Sequence, residues 1–266
     1  MNLATDGSLG APPRTPPGGA PPPGPRHNFL FLHGWGFDAS VWDGVRARLG
    51  GVAPDLGYLG APVPAPAEPD ARVIAVGHSL GCLLLLGALP PGCVGFIAVN
   101  GFSRFCAAPD FPNGVPTRLL ERMLARLETE PDAVLAEFRR RCGAPPLQAG
   151  SALDADRRER LRAGLFALRD RDERAAAGAL AVPMLVLAGE ADPIAPPALT
   201  QASFPGRTIL WRAGGGHLLP LTDPDWCAER IAAFAAPDPL NVCGSGGARP
   251  QRGAGQRLAA SLKRCV

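Results

Sequence analysis

The chain has 266 residues, of which 46% are apolar, and a formal net charge of +3 at pH 7. This length suits one domain with tails or an inserted subdomain, and the apolar share supports a buried core. The weak charge does not favour nucleic-acid binding, no apolar run reaches the roughly 18 to 20 residues that span a bilayer, and no secretory signal precedes the core. We therefore expect neither a nucleic acid nor a membrane as a partner.

The cysteines and histidines show no metal-binding pattern. The seven cysteines are scattered without a CxxC pair, and the four histidines lack HxH or HExxH spacing. We therefore predict no metal, no cofactor and no disulfide framework, and a reducing cytoplasm is the simplest setting.

Composition divides the chain into a core, an insertion and two tails. Residues 1–26 form a Pro/Gly tract that cannot bury enough apolar surface to offset its ordering entropy, so we predict disorder. Residues 237–266 read as a flexible Gly/Arg-rich tail. Between the tails we predict an α/β core over residues 27–104 and 181–236, interrupted by a helical cap over residues 105–180.

The core begins with a short apolar strand at Asn28–Leu32, followed by an HGWG motif at His33–Gly36. A helix over Val41–Leu49 and a weak strand at Gly51–Asp55 follow. The Pro-rich segment 57–70 then leads to another strand parallel to the first, a crossover that usually needs a dozen or more residues and a helix. We predict that this crossover has almost no helix.

The stretch from Val73 to Leu86, VIAVGHSLGCLLLL, has the pattern of a nucleophile elbow. An apolar strand, a Gly-x-Ser-x-Gly turn and an apolar helix expose Ser79 at the tip of a parallel sheet on strained backbone. Gly77 and Gly81 lack the Cβ atoms that would collide where the helix leaves the strand. The start of this helix offers free N–H groups where negative charge would develop. The alternative is a Gly-rich turn with an ordinary surface serine.

After the next strand, Val94–Val99, the apolar pattern is helical up to about residue 180. Thr129 with Asp132, and Ser151 with Asp154, are spaced as capping boxes before two of these helices. The predicted cap helices cover Thr117–Leu127, Pro131–Arg141, and a third segment with Leu161, Leu165 and Leu168. The sheet then resumes at Pro183–Gly189 and Thr208–Trp211, and a last helix covers Pro224–Ala235.

Two further polar residues follow predicted strands directly. Asp192 comes after the strand ending at Gly189, and His217 comes after the last strand. The carboxyl ends of parallel strands meet at one edge of a sheet, where open α/β sheets place their sites. The order Ser79, Asp192, His217 is that of the hydrolase triad. Taken alone, Asp192 could be a turn-former before proline and His217 a surface loop residue, and Glu190 is the substitute acid.

An oxyanion hole needs two N–H donors aimed at the developing charge. We predict the main-chain N–H groups of Leu80, next to Ser79, and of Trp35, in the loop after the first strand. For His33 and His78 we prefer structural roles, as a buried loop anchor and a wall of the pocket. The predicted substrate-binding residues are His78 and four cap side chains that would form an apolar acyl channel: Leu119, Met123, Leu124 and Phe138.

With these motifs the sequence resembles the α/β-hydrolase fold over about residues 27–236, and within it the pimeloyl-[acyl-carrier protein] methyl ester esterases of biotin synthesis. The matching features are HGWG at His33–Gly36, SLG at Ser79–Gly81, the stretch 102–112, and the segment from Gly216 through Pro224 with Cys227. The resemblance implies an α/β-hydrolase fold and the triad and oxyanion roles given above. It also implies an ester substrate, small or linked to acyl carrier protein.

The sequence also departs from that family. It has His78 where the family usually has tryptophan, and Cys82 where it usually has glycine. In the family, cap arginines receive the acidic carrier protein. The candidates here are offset from the family's spacing: Arg139, Arg140, Arg141, Arg157, Arg158, Arg160 and Arg162. Residues 104–178 hold 14 Arg against 12 acidic residues, so a solvated, salt-bridged helical face is an equally good interpretation.

The sequence therefore predicts a serine carboxylic-ester hydrolase acting on the methyl ester of pimeloyl-acyl-carrier protein. One alternative is a general short-chain carboxylesterase, or a C–C-bond or thioester hydrolase of the same fold. Another is a non-catalytic protein that keeps the pocket and binds a ligand or partner with the cap.

Overall fold

The computed structural model describes residues 28–66, 72–147 and 153–236. The predictions for the two tails lie outside these residues. The strands are β1 (Asn28–Leu32), β2 (Val73–His78), β3 (Cys93–Val99), β4 (Met184–Gly189) and β5 (Ile209–Arg212). The helices are α1 (Asp43–Leu49), α2 (Leu80–Gly87), α3 (Thr117–Thr129), α4 (Pro131–Arg141), α5 (Ala155–Asp170), α6 (Arg174–Gly178), α7 (Pro197–Ser203), α8 (Leu219–Thr222) and α9 (Pro224–Ala235), with a 3-10 helix at Ala39–Trp42. None of these helices is long and apolar enough to cross a membrane.

The five strands form one parallel sheet in the order β1-β2-β3-β4-β5. Its central strands are nearly continuous apolar runs because helices cover both faces, as parallel sheets require. Strand β2 is buried at all six positions and lies between β1 and β3 in register. The predicted α/β fold with a mostly parallel sheet is confirmed.

The predicted strand at Gly51–Asp55 is wrong as a strand. Only Val52 pairs with β1, through N–H···O bonds of 2.9 Å to Phe29 and from Phe31, on the edge that faces away from β2. Pro54 cannot donate to a ladder, so the pairing ends there. The chain therefore lies on one side of β1 and then the other, which places a topological switch point, a usual ligand site, above β1 and β2.

The crossover from α1 to β2 contains no helix among residues 50–66, as predicted. Helix α5 holds this segment instead. The buried Arg160 donates through Nε to the carbonyl of Gly57 at 2.7 Å, and Arg157 reaches the carbonyl of Leu59 at 3.3 Å. Tyr58 is fully buried beneath it. Two arginines of α5 thus satisfy carbonyls that a crossover helix would have satisfied internally.

Helices α3, α4 and α5 follow β3 and pack on one another, with Leu120, Leu124 and Leu127 of α3 buried. The predicted capping box at Thr129 is wrong. Helix α3 continues through Thr129, and Asp132 instead accepts from the N–H of Leu153 at 3.3 Å.

The second predicted box has a different outcome. Asp154 caps α5 by accepting from the N–H of Arg157 at 2.8 Å, while Ser151 lies outside the described residues. The boundaries of core and cap stay a prediction.

Candidate active site

Ser79 occupies the sharp turn between β2 and α2. Its φ of 53° and ψ of −121° are strained for a residue with a side chain, at a cost of about 1–3 kcal/mol. A Cβ atom at Gly77 would overlap the main chain of Cys82, and one at Gly81 would overlap the carbonyl of Leu32. The two glycines therefore let α2 leave directly across the strands, as predicted from the motif.

Asp192 and His217 form a buried hydrogen-bonded pair at the ends of β4 and β5. His217 Nδ1 donates to Asp192 Oδ2 at 2.8 Å. The other carboxylate oxygen accepts from the N–H groups of Ile194 at 2.7 Å and Ala195 at 2.9 Å. Because the carboxylate accepts at Nδ1, the neutral imidazole presents an unprotonated Nε2, the tautomer that a general base requires.

A third residue of this network, Asn100, was not predicted. It follows β3 with φ of 47°, and its Nδ2 donates to Asp192 Oδ2 at 2.7 Å and to the carbonyl of Gly216 at 3.2 Å. Asn100 thus ties the carboxylate to the loop that carries His217. The available signal was its position, a polar residue directly after the strand between the Ser79 strand and the Asp192 strand.

The electrostatics of the pair favour an ionised acid. Burial alone would raise the pKa of Asp192. The charge and hydrogen bond of His217 and the N–H groups of Ala195 and Ile194 outweigh burial and hold this pKa below its ordinary value. Asp192 is therefore a carboxylate at neutral pH and can stabilise a protonated His217.

His217 Nε2 is buried and makes no hydrogen bond with a described residue, so the bond to Ser79 Oγ is not formed in this structure. The two residues are close nonetheless. His78, the neighbour of Ser79, donates from Nε2 to the main-chain carbonyl of His217 at 2.8 Å, and the two imidazole centroids are 4.9 Å apart. Catalytic hydrogen bonds are often long or poorly aligned in substrate-free enzymes. Nε2 is a buried acceptor without its donor, next to the elbow.

The two predicted oxyanion donors lie on either side of Ser79. Leu80 is the first residue of α2, so its N–H has no partner within the helix. The N–H of Trp35 donates to no other described residue. The loop that carries it touches the elbow, since a Cβ atom added at Gly34 would lie 2.9 Å from Ser79 Cβ and 3.3 Å from its Oγ.

His33 and His78 are both fully buried. His33 Nε2 accepts from the N–H of Leu56 at 2.9 Å, which makes it the loop anchor that we predicted. Burial, followed by the charge of His217, lowers the pKa of His78 to about 3. His78 therefore stays neutral and does not act as an acid or base near neutral pH. Its position under the His217 loop is structural, and its role as a substrate wall stays a prediction.

The predicted channel residues differ in their placement. The Phe138 ring is edge-on to Trp35 with centroids 4.8 Å apart, so it lies against the loop that touches Ser79. Leu119 and Met123 are half-buried and Leu124 is buried, all within the hydrophobic core that includes α3. Only Phe138 is joined to the site by a described ring contact, and the acyl channel stays a prediction.

Several cap arginines are engaged within the chain. Arg160 and Arg157 hold the crossover, and Arg139 donates to the carbonyl of Gly36 at 3.0 Å. Arg162 pairs with Glu128 and Glu159. Arg140, Arg141 and Arg158 are exposed, although Arg141 also donates to the carbonyl of Pro193 at 3.1 Å. The buried Arg160 is therefore unsuited to docking a carrier protein.

The fold and the site define a class of protein, an open parallel sheet with a serine elbow, and comparison places this chain in that class. The profile of the family described as "Alpha/beta hydrolase family" matches residues 29–230. The chain belongs to the alpha/beta hydrolase family.

Curated relatives narrow the resemblance. The pimeloyl-[acyl-carrier protein] methyl ester esterase of Sodalis glossinidius (strain morsitans) is 28% identical over 244 residues, covering 78% of this chain and 93% of the relative. The protein with the same name from Xanthomonas oryzae pv. oryzae (strain MAFF 311018) is 28% identical, with coverages of 79% and 96%. These relatives support a hydrolase of carboxylic esters.

Solved structures agree on the fold. A thermophilic esterase from Thermogutta terrifontis superposes with a TM-score of 0.58 at 20% identity, covering 78% of this chain and 89% of that one. A bromoperoxidase from Bacillus anthracis superposes with a TM-score of 0.60 at 18% identity, covering 78% and 91%. The two titles name different activities, so the reaction has to be argued from the site.

Proposed function

We propose that this chain is a serine hydrolase of carboxylic esters in which Ser79 is the nucleophile, His217 the base and Asp192 the acid. The observation that carries the proposal is the buried Asp192–His217 hydrogen bond, which leaves Nε2 as an unpaired acceptor beside a strained serine. A serine hydroxyl is a poor nucleophile until such a base takes its proton.

In the first step Ser79 Oγ bonds to the ester carbonyl carbon while its proton passes to His217 Nε2. The negative charge that develops on the carbonyl oxygen is stabilised by the N–H groups of Leu80 and Trp35. The C–O bond of the ester then breaks, and the alcohol leaves with the proton from His217. Water releases the acyl group by the same route in reverse, and Ser79 is restored.

The specific substrate that we propose is the methyl ester of a pimeloyl group carried on acyl carrier protein. The support is the name shared by the Sodalis and Xanthomonas relatives, together with exposed arginines on the cap. Arg140 on α4 and Arg158 on α5 are the candidates for contact with the acidic carrier, because Arg139, Arg157, Arg160 and Arg162 are engaged within the chain. Long-range attraction of this kind increases the association rate and falls with salt.

The test is hydrolysis of the carrier-linked methyl ester by the full chain, followed by mass spectrometry of the carrier protein. We expect a loss of one methylene mass that requires Ser79 and is faster than cleavage of p-nitrophenyl butyrate at equal concentration. Ser79→Ala is the matched control. Complementation of a biotin-requiring strain that lacks its esterase would agree with this result.

Two other results would overturn parts of the proposal. Rapid cleavage of short esters with none of the carrier-linked ester would make the chain a general carboxylesterase, or a C–C-bond or thioester hydrolase. Failure of a fluorophosphonate to label Ser79, with no hydrolysis of either ester, would favour a ligand- or partner-binding protein.

A further inference from the structure

The loop that carries the second oxyanion donor is held by the cap as well as by the sheet. We call residues His33–Phe37 the oxyanion loop. Trp35 is 1% exposed, and its indole Nε1 donates to the carbonyl of Leu161 in α5 at 2.7 Å. Phe138 of α4 packs edge-on against the same indole at an interplanar angle of 82°. One residue of the oxyanion loop is therefore clamped between two cap helices.

Arg139, the next residue on α4, holds the following peptide group of the loop. Its Nη1 donates to the carbonyl of Gly36 at 3.0 Å, and its guanidinium lies 4.7 Å from the centroid of the Phe37 ring. Its Nε is buried without a partner. Removing a guanidinium from water is costly unless it is paired, so this side chain is committed to the loop rather than to a docking partner.

The loop needs such an anchor because its own backbone does not define one conformation. Gly36 has φ of +73°, and glycine visits positive and negative φ about equally. A rotation at Gly36 would turn the adjoining peptide groups, including the one that points the Trp35 N–H at the elbow. The bond from Arg139 to the Gly36 carbonyl opposes that rotation from one side, and the clamped indole opposes it from the other.

We propose that Arg139 is a positioning residue that aims the Trp35 N–H at the developing oxyanion and thereby couples the cap to the chemical step. This proposal rests on the proposed function. Loss of an oxyanion donor costs about 10²–10³ in rate, and misaiming one costs part of that. We therefore expect Arg139→Met to lower kcat about 10- to 100-fold with KM changed less than about twofold.

The experiment compares three variants in the full chain: Arg139→Met, Arg139→Lys and Trp35→Phe. Trp35→Phe keeps the main-chain N–H and an aromatic ring but loses the indole donor to Leu161. Arg122→Gln is the control, because Arg122 is an exposed arginine on another cap helix, α3. Each protein is assayed with p-nitrophenyl butyrate and with a fluorophosphonate, for which binding and the rate of covalent reaction are measured separately.

We expect the rate of covalent reaction to fall in step with kcat for Arg139→Met, with fluorophosphonate binding unchanged. Arg139→Lys should recover part of the rate, because an ammonium can still donate to the Gly36 carbonyl. Trp35→Phe should lose rate in the same step, and Arg122→Gln should match the wild type.

Circular dichroism and the thermal midpoint show whether each variant is folded. A folded Arg139→Met with wild-type kcat would overturn the proposal, as would a raised KM with unchanged kcat, which would make Arg139 a substrate contact. If Arg139→Met does not fold, wild-type kcat in Trp35→Phe and Arg139→Lys would overturn it. Absence of Ser79 labelling in the wild type would instead show that the proposed function has failed.

Discussion

The rim of the sheet and the cap are held together by different forces. At the rim, Asp192, His217 and Asn100 are almost fully buried and bond to one another and to main-chain groups. In the cap, arginines on partly exposed helices bind carbonyls and carboxylates, as in the bond from Arg126 to Glu137 at 2.8 Å. The difference teaches that chemistry at the rim depends on a few desolvated contacts, while charge in the cap is mostly structural.

The largest effect that tests this comparison is at the rim. Asp192→Asn should lower kcat about 10³- to 10⁴-fold with little change in KM, because an amide no longer fixes the Nδ1–H tautomer of His217. Steady-state kinetics with p-nitrophenyl butyrate measure it. Glu190→Gln is the matched control, since Glu190 is exposed two residues earlier. A larger loss in Glu190→Gln would show that the acid was assigned to the wrong carboxylate.

Asn100→Ala should have the next largest effect on rate. It removes one donor from Asp192 Oδ2, and a hydrogen bond to a charged group is worth about 1.5–3 kcal/mol, so kcat should fall about tenfold or somewhat more. The exposed Asn113 offers a control in Asn113→Ala. Equal rates in the two variants would mean that the carboxylate is positioned without Asn100.

The cap is tested by stability. Arg160→Met should lower the free energy of unfolding by about 1–3 kcal/mol, because the buried carbonyl of Gly57 loses its donor. Arg158→Met, exposed on the same helix, should change it by less than about 0.5 kcal/mol. Urea unfolding measures both. If the two values are alike, the crossover does not depend on α5 in the way that the contacts indicate.

The smallest expected effect concerns His78. Its pKa of about 3 lies below the ordinary histidine value, so between these values only the unfolded chain takes up a proton there. His78 therefore destabilises the fold as pH falls through the ordinary value, and that penalty is absent above it. His78→Gln should leave the acid limb of the kcat/KM profile unchanged. A limb moved by a full pH unit would mean that His78 titrates with the reaction.

The comparison also explains which features were predictable. The elbow follows from local sterics at Gly77 and Gly81, and the order of Ser79, Asp192 and His217 follows from strand ends that any parallel sheet brings together. Asn100 was missed because its partner is 92 residues away. No local pattern marks such a contact.

The cap shows the opposite weakness. Thr129 and Asp132 have the spacing of a capping box, but α3 extends through Thr129, and tertiary contact with Leu153 uses the carboxylate instead. Similarly, a count of arginines does not distinguish Arg160, which is buried against the crossover, from exposed neighbours that can meet a partner. The distinction depends on long-range packing that the sequence pattern does not carry.

The most direct measurement is fluorophosphonate labelling of the intact chain, with the modified residue mapped by mass spectrometry. Activation of the Ser79 hydroxyl by His217 predicts one label per chain, on Ser79, and a reaction slowed by orders of magnitude in a folded His217→Ala variant. A label at another residue, or equally fast labelling without His217, would contradict it.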